Sequence, residues 1–139
     1  MSVADNKAAT SRFYAEINSG NFGIIDELIS EDFVEHEQLP GIPATGREAV
    51  YAAMEMFGSG LTGTHFEPED VIAEGDKVVV RGTLSGTHTG EFMGIPATNK
   101  SFSVGFMDIL EFHDGQATAH WGITDSSAMM QQLGLAPEM

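Results

Sequence analysis

Apolar positions recur at helical spacing in the first part of the chain and then change period. In residues 3–18, Ala9, Phe13 and Ile17 fall at steps of four with Tyr14 beside them, which predicts a helix ending at Asn18-Ser19-Gly20-Asn21. A short second helix is expected at about 21–29, where Phe22, Ile25, Leu28 and Ile29 share a side. Residues 32–46 carry Pro40, Gly41, Pro43 and Gly46 and read mostly as loop. Thr45-Gly46-Arg47-Glu48 has the spacing of a capping box and predicts a third helix, with Val50, Met54 and Phe57 on its apolar side. Beyond residues 58–63 the period falls towards 2. Strands are expected at 64–73, 77–88, 101–112 and about 116–124, with a long loop at 89–100 and a short helix at about 126–133. Helices first and antiparallel strands afterwards make the class α+β. Three N-terminal helices on one face of a curved antiparallel sheet would enclose an apolar pocket.

Strand parity nominates the inward residues. In 101–112, Phe102, Val104, Phe106, Leu110 and Phe112 share a face with Asp108, a carboxylate inside an apolar row. Burial there disfavours its charge, although a hydrogen-bonded structural role fits equally. In 116–124 a regular strand puts Trp121 with Asp125 and turns His120 to the other face; a bulge would reverse this. Asp125 stands just before the last helix and is either an acid/base group or that helix's N-cap. Ser126 could cap instead and free it. His36 lies at a plausible cavity rim, and His88 ends a strand beside a glycine-flanked loop.

Composition narrows the functions. The 139 residues suit one domain spanning 1–139, and 42% hydrophobic content is enough for a core. Twenty-one acidic residues against 6 basic ones give a net charge of −15, which argues against nucleic acid and anionic membranes as partners. The excess is either a solvated acidic surface or an adaptation to salt. No apolar run is long enough for a membrane helix, and the first residues lack the basic-then-apolar order of a secretory signal. With no cysteine, a cytoplasmic location is expected. The five histidines are dispersed with no paired spacing on a helix, so no metal site is expected. Phosphate-binding loops and the common nucleophile motifs are also missing.

Two stretches carry a family resemblance: Gly86-Thr87-His88 with Gly90-Glu91-Phe92-Met93-Gly94-Ile95-Pro96, and His120-Trp121 followed by Asp125 and Gln132-Leu133-Gly134. Together with most of the remaining chain they resemble the SnoaL-like polyketide cyclases, or ester cyclases. The resemblance implies a cone-shaped α+β fold of the nuclear-transport-factor-like superfamily with a deep apolar pocket. It implies intramolecular aldol condensation or a related isomerisation, without cofactor or metal. One aspartate near the end of the last long strand acts as general acid/base, a role that falls on Asp125. Asp108 or His36 would bond the enolate oxygen, and Asp108 would have to be protonated to do so. Trp121, His88, Phe106, Phe33, Tyr14 and Met54 would hold an aromatic or polycyclic carbonyl compound. A homodimer through the outer sheet face is also implied. The chain departs from many relatives at Ala119, where they carry Glu. Two other functions fit the same chain: a non-catalytic binder of apolar small molecules, or an interaction module with a small or filled cavity.

Overall fold

The computed structural model describes residues 2–135 apart from 38 and 40. Helix α1 is Val3–Asn18, α2 is Ile24–Leu28, and strand β1 is Ile29–Glu35. Helix α3, Arg47–Gly60, leads into β2 (Leu61–Glu74), β3 (Lys77–His88), β4 (Ser101–His113) and β5 (Gln116–Thr124), and α4 (Ser126–Gln132) follows. The fold is α+β, with one open five-stranded sheet in the order β1-β5-β4-β3-β2.

The later strands form where the period-2 pattern predicts them. Residues 61–113 make two long antiparallel ladders, β2 to β3 and β3 to β4, with β5 completing the meander. β1 is the exception. Residues 29–35 were expected to finish a helix and enter a loop, but they form an edge strand parallel to β5. The sheet is therefore mixed rather than antiparallel. Ile29, Ser30 and Phe33 are buried while Glu31 and Asp32 are exposed, an irregular pattern that local periodicity does not flag. The capping box is also elsewhere than expected. Gly46, at φ 80°, is the N-cap of α3 with no side-chain cap bond, whereas Ser2 and Asp5 form the reciprocal box at α1.

Helix α1 is fastened across the sheet by Asn18, whose amide donates to the Phe66 carbonyl at 2.8 Å and accepts from the Phe66 N–H at 2.9 Å. This brings Tyr14 over β4, where its ring lies 5.9 Å from that of Phe106. The core runs from α1 and α2 through Phe33, Val78, Val80, Leu84 and Phe102 to Met129 and Leu133. The 89–100 loop is tied to the end of α3, since Thr89 and Gly90 both donate to the Gly60 carbonyl. A side chain at Gly60 would meet the Cβ of Phe92 at 2.8 Å, so this close approach requires glycine.

Candidate active site

The face that β5 shows to the interior is set by one extra residue. Glu111 pairs with Ala119 and Phe112 with Ala117, so β5 advances two residues for one on β4 and Thr118 is bulged out. The Thr118 hydroxyl donates to the Glu111 carbonyl at 3.2 Å and fastens the bulge. Beyond it the parity is inverted. His120, Gly122 and Thr124 line the interior cavity, while Trp121 stacks on His36 outside it, rings 4.4 Å apart and 1° from parallel. The regular-strand expectation that Trp121 is inside and His120 outside is corrected by this bulge.

The inverted parity places His120 between two carboxylates. Its Nδ1 lies 2.6 Å from Glu35 Oε1 and its Nε2 lies 2.8 Å from Asp108 Oδ1. The Tyr14 hydroxyl donates to the other Asp108 oxygen. Burial alone would lower the His120 pKa, but the hydrogen bonds and charges of Asp108 and Glu35 outweigh it and push it up to about 10. Both ring nitrogens therefore donate at neutral pH. The Tyr14 phenol is held well above its usual value by burial and by the Asp108 charge. Glu37 completes the cluster, its backbone N–H donating to Glu35 at 3.0 Å. Burial, followed by the Asp108 and Glu35 charges, raises its carboxyl pKa against the opposing pull of His120. Gly122 makes room for all of this. A Cβ there would lie 2.5 Å from Glu37 Oε1, 2.7 Å from Asp108 Oδ1 and 2.7 Å from His120 Cε1.

The cluster sits in the wall of a cavity of about 440 Å³, otherwise lined mainly by apolar side chains from α1, α3, β1, β4 and the 89–100 loop. Five of the residues expected at the site line it: Tyr14, Phe33, Met54, Phe106 and Asp108. Four do not. Asp125 is exposed and caps α4, accepting the Ala128 N–H at 3.0 Å; Ser126, the alternative cap, is the first helical residue. His36 is exposed and Trp121 lies against it on the outer face. His88 is buried at the end of β3, where its Nδ1 accepts the Thr98 N–H, away from the cavity lining. Asp108 is in the cavity as expected, with Tyr14 donating to one of its oxygens and His120 facing the other.

The residues that sequence reasoning missed are His120, Glu35, Glu37 and Gly122. No local signal marks them. Phe33-Val34-Glu35-His36-Glu37 runs from two apolar to three polar residues without alternating, and only its pairing as a strand sets Phe33 and Glu35 towards the cavity. Glu35, Glu37 and His120 each offer one atom, all within 4.8 Å of one another, and are the candidate metal-holding group among the described residues. A metal needs a ring lone pair, however, and both His120 nitrogens point at carboxylates that hold it protonated.

Comparison with known proteins agrees with this architecture. The family model for SnoaL-like polyketide cyclases matches residues 8–133. TsrD from Streptomyces laurentii is 30% identical with a TM-score of 0.88, covering 98% of this chain and 99% of its own. IdmH from Streptomyces antibioticus, a proposed polyketide cyclase, is 29% identical with a TM-score of 0.79 over 93% and 98% of the two chains. AclR from Streptomyces galilaeus, a proposed hydroxylase, is 27% identical with a TM-score of 0.85 over 99% and 90%. No curated protein matches the sequence.

Proposed function

Because the chain belongs to the SnoaL-like polyketide cyclase family, we propose that it is an acid/base enzyme acting on an apolar carbonyl compound, by intramolecular aldol condensation or a related isomerisation. The observation that carries this reading is the convergence of Tyr14, Asp108, His120 and Glu35 on one wall of an apolar cavity. Catalytic groups grouped in a water-poor pocket, with the cationic imidazole locked between two carboxylates, suit proton transfer at carbon. Asp108 is the base. It takes a proton from carbon alpha to a carbonyl, and the C–H electron pair becomes the enolate. Tyr14 and His120 hold the carboxylate in position. The enolate carbon attacks a second carbonyl of the same molecule, a carbon–carbon bond forms, and the proton returns to the new alkoxide. Phe33, Met54 and Phe106 supply apolar surface for a flat substrate, a lining that supports an aromatic or polycyclic compound.

The test is deuterium uptake by 2-tetralone, an apolar bicyclic ketone, followed by NMR in D₂O. Wild type accelerates the exchange, and Asp108→Asn loses roughly 10²–10⁴-fold of the acceleration. Binding without exchange in every protein supports the second reading, a non-catalytic carrier, which the largely apolar lining also favours. An interaction module with a filled cavity is disfavoured by a volume of about 440 Å³, above the roughly 300 Å³ at which ligand pockets begin.

We further propose a homodimer through the outer sheet face. Ile72, Val79, Met107 and Ile123 are all exposed there, with Ile123 at 76% and Met107 at 57%. Cross-strand register sets Ile72 beside Val79 and Met107 beside Ile123. Light scattering at micromolar concentration that finds a monomer overturns this assignment.

A further inference from the structure

The donors of the cluster are already spent. Tyr14 donates to Asp108, and the two ring nitrogens of His120 face Glu35 and Asp108. A carbonyl oxygen entering the pocket needs a donor, and none of these groups has a proton left to offer. Glu37 is the remaining polar side chain in the cluster. It lines the cavity, and an oxygen of its carboxyl lies within 4.8 Å of a Glu35 oxygen and a His120 ring nitrogen. One point above Gly122 is 2.5 Å from Glu37 Oε1 and 2.7 Å from Asp108 Oδ1, so the two carboxyls flank the same small volume. Among the described residues, the Glu37 carboxyl makes no hydrogen bond.

We propose that Glu37 is the donor of the site: its carboxylic acid proton bonds the carbonyl oxygen of the bound substrate and passes to it as the enol forms. The assignment rests on the acid/base reading above and adds its missing partner. Charge balance supports it. Asp108 and Glu35 accept from a single imidazolium, and a third ionised carboxylate beside them would add unpaired negative charge to a half-buried cluster. Burial, Asp108 from β4 and Glu35 from β1 all favour the protonated form of Glu37; His120 from β5 opposes it. Tyr14 from α1 is the other titratable group in this cluster, and it is neutral. Two carboxyls in one pocket with unlike environments are the usual arrangement of an acid and a base.

The protons balance without an added reactant. Asp108 gains the alpha proton while Glu37 gives its own to the carbonyl oxygen, leaving a neutral enol. As the enol carbon attacks the second carbonyl, the enol O–H proton returns to Glu37. The nascent alkoxide takes the proton from Asp108. Both carboxyls end as they began.

Infrared difference spectra of the full-length protein at neutral pH, with and without 2-tetralone, test the assignment directly. A protonated-carboxyl stretch should be present in wild type, shift when the ketone binds, and vanish in Glu37→Gln but not in Glu35→Gln. In the exchange assay, Glu37→Gln should lose roughly 10²-fold or more. It should also lose the limb of the pH profile in which wild-type exchange falls as pH rises through the Glu37 ionisation. Glu37→Asp should recover part of both. A band that is absent, indifferent to the ketone, or retained in Glu37→Gln overturns the donor role, as does, where wild type accelerates exchange, a Glu37→Gln acceleration within about threefold of it. If the band responds to 2-tetralone but wild type drives no exchange, Glu37 stands as the carbonyl donor and the catalytic reading alone falls.

Discussion

Asp108 and Asp125 are two aspartates on adjoining stretches of chain, one in β4 opposite Gly122 and the other three residues beyond Gly122. Asp108 is half-buried, receives Tyr14 and His120, and opens on the cavity. Asp125 is exposed, accepts a backbone N–H at the start of α4, and donates its own N–H to the Gly105 carbonyl. The same side chain is a candidate base in one place and a helix cap in the other. What separates them is not residue type or distance along the strand but which groups the fold supplies as neighbours. Under the proposed function, the role that family resemblance assigns to the aspartate after the last strand falls to Asp108, because only Asp108 lines the cavity.

The sharpest way to break that comparison is to remove both charges in turn. Asp108→Asn should cost roughly 10²–10⁴-fold in ketone exchange, and Asp125→Asn should stay within about threefold. The reverse result would return the catalytic role to the end of β5. Next in size is Gly122→Ala. A methyl group forced to within 3 Å of Glu37, Asp108 and His120 should cost about 1–3 kcal/mol in urea unfolding and weaken exchange with it. An unchanged midpoint would mean that the cluster is looser than its geometry. Asp125→Ala should cost only about 1 kcal/mol through the lost cap, with Asp125→Asn retaining most of it.

A pH series probes the buried side of the comparison alone. The His120 pKa is raised from 6.5 in the free residue to about 10 in the folded protein. Protons bound in the folded state but not the unfolded one stabilise it. The contribution is therefore complete below pH 6.5 and is lost as pH rises through about 10. Denaturation midpoints across that window should fall in wild type, and the slope should flatten in His120→Gln. Asp125→Ala should leave the slope intact.

Much of the fold was legible from local pattern. The helical stripe of α1, the bounds of β3 and β5 and the inward row of β4 follow from residue spacing, because each depends on near neighbours. The apolar lining was legible too: Tyr14, Phe33, Met54 and Phe106 are in the cavity because large apolar side chains at regular positions have nowhere else to go. The polar half of the site was not. Gln116–Thr124 alternates in a way that fits either face, and the choice between His120 and Trp121 turns on Thr118, one bulged residue whose hydroxyl is fastened to the Glu111 carbonyl across the ladder. Glu35 and Glu37 reach the cluster only because β1 pairs in parallel with a strand more than eighty residues away. The sequence by itself determined which residues could line a pocket and which helices and strands would carry them. Tertiary pairing decided which carboxylates meet an imidazole, because register across strands is a non-local choice and a shift of one residue turns every side chain beyond it to the opposite face.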